Sequence, residues 1–190
     1  MNGDFIMNKN EKRKEIKQKQ SILSPEYCHF ADKAICNRIL SLHEFQTADV
    51  IFCYISMENE IDTRPIIENA WMMKKKVAVP KCTKKGCMEL YQIHSYEDLE
   101  AGKYGIPEPK SKCLPVPPNT IDFAVIPCLS CDLEGWRLGH GGGYYDRYLE
   151  HTDFITAVVC RHQLLSESIC HETHDKRMNI VVTEEIMRFL

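Results

Sequence analysis

A glycine-rich segment flanked by arginines is the part of the sequence best suited to bind an anion. It runs from Arg137 to Arg147 and contains four glycines within five positions, at 139, 141, 142 and 143. Glycine leaves the backbone N–H groups unobstructed, so successive N–H groups can converge on an oxyanion. Arg137 can bind a phosphate through two parallel hydrogen bonds. The residues after the glycines favour a helix, whose positive N-terminal end would face the same anion. This pattern predicts a phosphate-binding loop that leads into a helix.

Two common phosphate motifs do not match this segment. The dinucleotide-binding pattern requires a third glycine where Tyr144 or Asp146 stands, and the Walker A pattern requires a Gly-Lys-Ser/Thr sequence that does not occur there. Asp146 suits a magnesium ion that bridges phosphates better than it suits direct contact with a phosphate. A structural alternative also fits the pattern, namely a glycine-rich turn in which Asp146 and Arg147 are ordinary charges at the start of a helix.

A basic segment near the N-terminus is a second candidate for phosphate binding. Residues 9–19 carry six lysines and arginines, lack proline and glycine, and consist of strong helix formers. Lys9 and Arg13 are four residues apart and therefore share one face of the predicted helix. A solvated surface helix is the alternative, and on spacing alone it is the commoner case.

Length and composition indicate one globular domain. The chain has 190 residues, of which 44% are hydrophobic, and a formal net charge of −3 from 24 basic and 27 acidic residues. This balance argues against a protein built around nucleic acid. No apolar run reaches the roughly 18 residues that suggest a membrane span. We predict a single domain over residues 7–190, preceded by a disordered extension over residues 1–6.

The N-terminal residues and the cysteines together indicate a reducing compartment. Residues 1–19 have no apolar stretch typical of a secretory signal. Several of the ten cysteines stand inside apolar runs, among them Cys53 and Cys160. Buried free cysteine behaves as a small hydrophobic side chain. We therefore predict a cytoplasmic protein in which most thiols are free.

Apolar runs that alternate with helical segments predict the scaffold that positions the chemistry-bearing residues. The runs are short and continuous, as in strands of a parallel sheet that is buried on both faces. Strands are predicted at 50–55, 77–80, 88–93, 121–126, 155–159 and 179–183. Helices are predicted at 9–19, 24–42 and 63–75, after the glycine-rich segment, and from residue 184 onward, with one turn started by a capping box at 95–98. The alternation predicts an α/β fold, a three-layer sandwich whose largely parallel central sheet is flanked by helices.

The candidate segments fall where such a fold binds ligands. Open α/β sheets bind ligands outside the carboxyl ends of their strands. Residues 56–63, 128–146 and 161–175 all follow predicted strands. A turn is predicted at 81–86, and the proline-rich connection at 102–120 is long enough to be suspected of a function.

The glycine-rich segment and its surroundings resemble the signature of the 5-formyltetrahydrofolate cyclo-ligase family. The matching block runs from Pro127 to Arg147 and reads Pro-x-Leu-x-x-Asp-x-x-Gly-x-Arg-Leu-Gly-x-Gly-x-Gly-Tyr-Tyr-Asp-Arg. Supporting landmarks occur in the family's order at 9–13, 60–63, 105–109, 174–175 and 182–184. The resemblance extends over residues 7–185, and the glycine–tyrosine–aspartate block is its most specific part.

The resemblance implies an enzyme that uses Mg²⁺ and ATP to cyclise 5-formyltetrahydrofolate to 5,10-methenyltetrahydrofolate, releasing ADP and phosphate. A formamide oxygen is a poor leaving group. Transfer of the γ-phosphoryl group onto that oxygen would give an iminium-like phosphate, which N10 of the folate can attack. Such a transfer is catalysed mainly by positioning and by charge neutralisation.

The resemblance also implies a role for each residue that matches a family position. Basic side chains would contact ATP, the loop would hold its phosphates and present the formyl group, and two carboxylates would hold Mg²⁺. The implied ATP-binding residues are Lys9, Arg13, Arg137, Leu138, Gly139, Gly141, Gly142, Gly143, Tyr144 and Tyr145. The implied substrate-binding residues are Ile55, Glu60, Tyr104, His140, Gly141, Gly142, Gly143 and Tyr144. Asp146 and Asp175 match the magnesium positions, and the implied catalytic group is Arg137, His140 and Tyr144.

Three residues depart from the family pattern. Cys128 and Cys131 replace the usual glycine and phenylalanine, and His140 stands where the family often has arginine or tyrosine. A neutral His140 would leave less positive charge for the transferring phosphoryl group. The Cys128-x-x-Cys131 spacing is also that of a redox or metal pair, although no second such pair accompanies it and ordinary packing is the commoner case.

Two other functions are compatible with the same scaffold. One is a non-catalytic protein that binds folate or a nucleotide, and the other is a different phosphate-handling enzyme, such as a sugar-phosphate isomerase or a CoA-transferase. Dependence on ATP separates the second from the cyclo-ligase. For every one of these functions the expected partners are small molecules, with no nucleic acid and no membrane, and the expected assembly is a monomer or a weak dimer.

Overall fold

The computed structural model of the chain describes residues 8–190, so the predicted extension over residues 1–6 lies outside the described residues. The helices are α1 (Lys9–Ser21), α2 (Pro25–Ser41), α3 (His43–Thr47), α4 (Arg64–Met72) and α5 (Tyr144–Leu149). The strands are β1 (Val50–Cys53), β2 (Lys76–Lys84), β3 (Cys87–Ile93), β4 (Leu99–Ala101), β5 (Pro107–Pro109), β6 (Phe123–Ile126), β7 (Ser130–Cys131), β8 (Arg137–Leu138), β9 (Ile155–Val159), β10 (Ile180–Val182) and β11 (Met187–Phe189). Short 3-10 helices occur at Tyr96–Asp98, Lys103–Gly105, Pro118–Thr120 and His162–Leu164.

A seven-stranded sheet forms the centre of the fold, in the order β11-β10-β9-β6-β1-β2-β3. The five strands from β10 to β2 pair in parallel, whereas β3 and β11 pair antiparallel at the two edges. The prediction of a largely parallel central sheet is therefore confirmed. Two small antiparallel pairs, β4–β5 and β7–β8, stand apart from this sheet.

Alternating side chains of the central strands pack into two separate cores, which explains why the strand sequences are apolar throughout. Ile51 and Phe123 face the core that contains residues of α2, α3 and α4. Phe52 and Ala124 face the other core, to which α1 contributes Ile16. Each fully buried isoleucine or phenylalanine contributes about 1.5–3 kcal/mol relative to an exposed one. The layers are thus helix, sheet and helix, as the alternation predicts.

Side-chain caps explain where the first two helices begin. Asn8 and Glu11 form a reciprocal capping box at the start of α1, which fixes the basic helix in place. Ser24 accepts a hydrogen bond from the N–H of Tyr27, and Pro25 occupies the first turn of α2, as predicted.

The predicted capping box at residues 95–98 is wrong. Ser95 makes no side-chain cap for the 3-10 helix that follows. The carboxylate of Asp98 instead accepts a hydrogen bond from the N–H of His94 at 2.9 Å and pairs with Lys112 at 2.7 Å. Asp98 therefore ties this turn back to the preceding strand and to the proline-rich connection.

The predicted helix from Glu184 is wrong, because the chain turns and forms β11. The hydroxyl of Thr183 accepts hydrogen bonds from the N–H groups of Glu185 and Ile186, at 3.1 and 2.8 Å, and this turn reverses the chain. Strand β11 then pairs antiparallel with β10. Hydrogen bonds to the edge of an existing sheet outweigh a weak local preference for helix.

Two predicted irregular segments contain more strand than expected. The predicted turn at 81–86 is wrong for residues 81–84, because β2 and β3 remain paired as far as Lys84. The chain reverses only at residues 85–86, where Gly86 has a φ of 75°. The proline-rich connection also includes β5, which pairs with β4. Within the described part of the chain, no helix has both the length and the apolar character needed to cross a membrane.

Candidate active site

The short hairpin of β7 and β8 places Arg137 at the carboxyl side of the central sheet. Asp132, which is 2% exposed, organises the turn of this hairpin. Its carboxylate accepts hydrogen bonds from the N–H groups of Glu134 and Trp136, at 3.0 and 2.9 Å. Its second oxygen accepts one from the N–H of Ile169 at 2.8 Å. Asp132 therefore fixes the hairpin both internally and against the segment that follows β9.

Arg137 is a buried guanidinium whose Nε has no hydrogen-bond partner among residues 8–190. A terminal nitrogen of Arg137 donates to Asp146 at 2.6 Å, and the side chain of Arg137 is 4% exposed. Its guanidinium carbon lies 5.6 Å from the centre of the Tyr145 ring. The Nε atom is itself buried. Buried donors are nearly always paired, so this nitrogen is poised to bind an anionic ligand.

Two arginines hold the glycine-rich loop from opposite sides. Arg13 donates from Nε to the carbonyl oxygen of Gly139 at 2.8 Å, which connects α1 to the loop. Arg147 donates to the carbonyl oxygens of Gly142 and, at 2.6 Å, of Gly86. The loop is therefore fixed in shape by charged side chains on both sides, as a binding loop requires.

The backbone of the loop turns into α5 through glycines with positive φ. Gly141 has a φ of 95°, and Gly143, the N-cap of α5, has a φ of 64°. The predicted loop-to-helix arrangement is confirmed. Helix α5 has only six residues, so its dipole adds little, and anion binding here depends on the arginines and the loop N–H groups.

Two carboxylates at the predicted magnesium positions are each paired with a cation of the chain. Asp146 accepts from Arg137, and Asp175 accepts from the ammonium group of Lys9 at 2.6 Å. Burial raises the pKa of Asp175, but the hydrogen bonds from Lys9 and from the N–H of Glu172 outweigh burial and lower the pKa overall. Asp175 is thus held as a carboxylate, and both side chains lie beside a basic group.

A cavity of about 460 Å³ opens on the same side of the sheet. Its volume lies in the range of pockets that bind small organic molecules. It lies between the segment that follows β1, the first turn of α4 and the β4–β5 pair. Its lining residues are Ile55, Ser56, Thr63, Arg64, Ile67, Tyr96, Leu99, Glu100, Ala101 and Pro107. Ile55 is the predicted substrate-binding residue that the structure places in this cavity.

Glu60 and His140 lie next to each other where the loop after β1 meets the glycine-rich loop. Their nearest side-chain atoms, Glu60 Oε1 and His140 Nε2, are 3.9 Å apart. Burial raises the pKa of Glu60, although the N–H of Met57 donates to its carboxylate at 2.9 Å and partly opposes that rise. Burial lowers the pKa of His140, and the positive charges of Lys17 and Arg13 lower it further. His140 is therefore kept neutral.

Four other predicted residues differ in what the structure shows of them. Leu138 is 1% exposed, so its side chain belongs to the core and only its backbone is available to a ligand. The ring of Tyr145 stacks on Phe52, with centroids 6.0 Å apart and planes 5° from parallel. The ring of Tyr144 packs beside Gly142, where an added Cβ would lie 2.8 Å from it. Tyr104 belongs to the 3-10 helix Lys103–Gly105, and its side chain lies outside what the structure describes.

Sequence reasoning missed Arg161, which positions the loop that carries Glu60. Arg161 is 4% exposed and pairs with both carboxylate oxygens of Asp32, at 2.8 and 3.0 Å. It also donates to the carbonyl oxygens of Asn59 and Glu60, at 3.1 and 3.0 Å. The available signal was its place at the end of β9, within the segment expected to face a ligand.

Comparisons with known proteins identify one enzyme family. A sequence profile of the 5-formyltetrahydrofolate cyclo-ligase family matches residues 6–184. The 5-formyltetrahydrofolate cyclo-ligase of Haemophilus influenzae is 33% identical over 73% of this chain and 76% of its own length, and that of Mus musculus is 25% identical over 91% and 92%. The solution structure of 5,10-methenyltetrahydrofolate synthetase from Aquifex aeolicus is similar, with a TM-score of 0.85 and 30% identity over 96% of this chain and 93% of that one.

Proposed function

The chain belongs to the 5-formyltetrahydrofolate cyclo-ligase family and is an enzyme of that family, and from this premise we propose that it uses Mg²⁺ and ATP for the cyclisation. The observation that carries the proposal is the buried Nε of Arg137, which lacks a partner among residues 8–190 beside the glycine-rich loop. A buried guanidinium with a spare donor fits a phosphate oxygen.

The phosphates of ATP would lie along the loop from Gly139 to Gly143. Arg137, which Asp146 holds in place at 2.6 Å before the ligands bind, would donate from Nε to the transferring phosphoryl group. Arg13 supports the loop from the other side through the carbonyl oxygen of Gly139. Because burial and nearby cations keep His140 neutral, the positive charge at this point comes from Arg137 and Arg13.

The residues present fit a magnesium ion. Asp146 and Asp175 offer carboxylate oxygens, which are the ligands that Mg²⁺ prefers in proteins. Asp146 now pairs with Arg137, and Asp175 pairs with Lys9. When Mg²⁺ and ATP are bound, the two basic side chains would pair with phosphate oxygens instead. When bound, the ion would neutralise charge on the phosphates.

The folate would occupy the cavity beside Ile55, with Glu60 at the boundary between the two ligands. The formyl oxygen attacks the γ-phosphorus, and the bond between that phosphorus and the bridging oxygen of ADP breaks. N10 then attacks the formyl carbon and gives up its proton. The carbon–oxygen bond breaks, the leaving phosphate takes the electron pair and that proton, and the methenyl bridge remains. Arg137 and Tyr144 flank the loop at which the first step would occur, and His140 lies within it.

A direct assay tests the proposal. Incubating the enzyme with 5-formyltetrahydrofolate, Mg²⁺ and ATP is expected to produce the absorbance of 5,10-methenyltetrahydrofolate together with one equivalent of ADP. Omitting ATP is the control and should leave the substrate unchanged. Binding of folate and ATP by calorimetry without any ADP release would contradict the proposal and favour the non-catalytic alternative.

Glu60 is expected to make folate binding dependent on pH. Its carboxylate would accept hydrogen bonds from N–H donors of the pterin ring, and a charged acceptor of this kind contributes about 1.5–3 kcal/mol. Burial raises the pKa of Glu60. As the pH falls, Glu60 is therefore protonated at a higher pH than an ordinary glutamate. Glu60→Gln should raise KM for the folate about 10-fold at neutral pH.

The pH profile separates this role from simple loop damage. For the wild-type enzyme, KM should rise as the pH falls through the pKa of Glu60, and this rise should vanish in Glu60→Gln. The matched control is Glu58→Gln, because Glu58 is an exposed residue of the same loop. A Glu60→Gln enzyme that keeps the wild-type pH profile would show that Glu60 does not bind the substrate.

The domain bounds, the assembly and the compartment of the protein are also proposals. We propose one domain over residues 7–190, a monomer or weak dimer as the assembly, and the cytoplasm as the compartment.

A further inference from the structure

Three cysteine side chains converge at the carboxyl ends of β6 and β9. Cys128 follows β6, Cys131 lies in β7 and Cys160 follows β9. Their sulfur atoms all lie within 4.8 Å of one another. Because β6 and β9 are parallel neighbours in the sheet, their carboxyl ends meet at one place, and this brings Cys128 and Cys160 together. The group is formed by the topology, since Cys160 is far from the other two in sequence.

We propose that Cys128, Cys131 and Cys160 bind one Zn²⁺ ion. Zinc binds thiolate sulfur at about 2.3 Å, so two sulfurs of a tetrahedral site lie about 3.8 Å apart. Sulfur atoms that are already within 4.8 Å of one another reach this separation through small side-chain adjustments. Two of the three ligands lie in the interior, because Cys131 is 0% and Cys160 2% exposed, and Cys128 is half-buried.

A small cavity beside the sulfurs provides the fourth coordination position. Its volume is about 20 Å³, and Cys128 and Cys160 are among its lining residues. A cavity of this size holds about one water molecule. Three thiolates and one water form the usual tetrahedral set of a zinc site with one open position.

The surroundings also compensate the charge of such a site. Three thiolates and Zn²⁺ carry one net negative charge, which is costly to bury without a partner. The guanidinium of Arg161 lines the same cavity. Arg161, which also pairs with Asp32, therefore places positive charge beside an anionic metal site.

Burial alone does not bring cysteines of this chain into such a group. Cys53 is as buried as Cys131, and both are 0% exposed. Cys53 nevertheless belongs to no comparable group of ligands within residues 8–190. Cys131 also pairs with Arg137 across the β7–β8 hairpin, so an ion bound here would anchor the hairpin that carries Arg137.

Cobalt substitution tests the site directly in the full-length protein. The protein is purified with a reductant, treated with a chelator and titrated with Co²⁺ in the absence of oxygen. Thiolate-to-cobalt charge-transfer absorption and the strong visible bands of tetrahedral Co²⁺ are expected to saturate at one equivalent. One equivalent of Zn²⁺ should then remove both signals, and Zn²⁺ should raise the Tm of the apo protein.

Two matched variants assign the signals to these residues. Cys131→Ala should abolish the charge-transfer band and the Tm rise with Zn²⁺, whereas Cys53→Ala should keep both, since Cys53 is equally buried but lies outside the group. Circular dichroism checks that each variant is folded, and Cys160→Ala is the substitute if Cys131→Ala is not. The proposal is overturned by a wild-type protein that gives no charge-transfer band, by a band that survives in Cys131→Ala, or by a disulfide within the group under these reducing conditions.

Discussion

Replacing Arg137 with lysine is expected to lower kcat about 100- to 1,000-fold, the usual effect of removing one donor that stabilises charge in a transition state. Lysine keeps the positive charge and its pairing with Asp146, but it lacks the Nε donor that is buried without a partner in residues 8–190. The loss should appear mainly in kcat rather than in KM for ATP, because the donor acts on charge that moves during phosphoryl transfer. Steady-state kinetics at saturating folate measures both constants.

The choice of lysine follows from burial. Arg137→Ala would leave the carboxylate of Asp146 without its partner at a site where the arginine side chain is 4% exposed. Breaking a buried pair by removing one member costs about 3–5 kcal/mol, so loss of folding would obscure loss of catalysis. Arg137→Lys therefore tests the catalytic role better than Arg137→Ala does.

An exposed arginine provides the control for this substitution. Arg177 is exposed and donates to Glu134 on the surface, so Arg177→Lys should leave kcat within about 2-fold of wild type, as surface substitutions usually do. A normal kcat in Arg137→Lys, with the fold intact by circular dichroism, would refute the role of Arg137 in the transfer.

The central sheet could be predicted because strands that are buried on both faces form uninterrupted apolar runs in the sequence. The run from Val50 to Cys53 is buried at every position, so no polar residue interrupts it. Strand β11 has no such requirement for apolar residues, since all three of its residues are exposed. Its pairing with β10 comes from the reversal at Thr183, which depends on tertiary position and not on local pattern.

The sequence predicts those site residues that lie in one segment. It does not predict contacts between residues of distant segments. The glycine-rich loop, Arg137 and Asp146 are close in sequence, and so their proximity follows from the motif. Arg161 positions Glu60 through backbone carbonyls that lie about a hundred residues away, so no spacing rule could connect them. The Cys128-x-x-Cys131 spacing alone does not indicate a metal site, because Cys160 joins the pair only where the ends of β6 and β9 meet.

The contact between Arg13 and Gly139 shows how the N-terminal helix takes part in the site. Residues 126 positions apart are joined by a hydrogen bond of 2.8 Å from the guanidinium to a loop carbonyl. The same guanidinium fills the space beside Gly141, where its carbon atom would lie 3.3 Å from an added Cβ. The loop thus has little room on the side of α1, and any side chain at Gly141 must displace Arg13.

Gly141→Ala is expected to lower kcat/KM for ATP about 10-fold or more. Alanine at a φ of 95° is strained, and a left-handed conformation costs an L-residue about 1–2 kcal/mol. The new Cβ also crowds the Arg13 guanidinium at 3.3 Å, which is tight although the arginine can shift. An activation free energy that is higher by about 1.4 kcal/mol corresponds to a 10-fold loss of rate. Kinetics with ATP as the varied substrate measures this loss, and calorimetry with ADP measures the matching loss of affinity.

Gly135→Ala separates loop damage from general instability. Gly135 has a similar φ of 85°, and a Cβ there would lie 2.8 Å from the carbonyl oxygen of Met178, so this variant should lose at least as much thermal stability. Gly135 lies outside the phosphate loop, and so its kcat/KM per folded molecule should fall less than that of Gly141→Ala. If both variants lost activity only in proportion to their folded fraction, the conformation at Gly141 would matter for folding alone. A Gly141→Ala enzyme that keeps its Tm but loses ATP affinity would instead show that the loop backbone itself binds the phosphates.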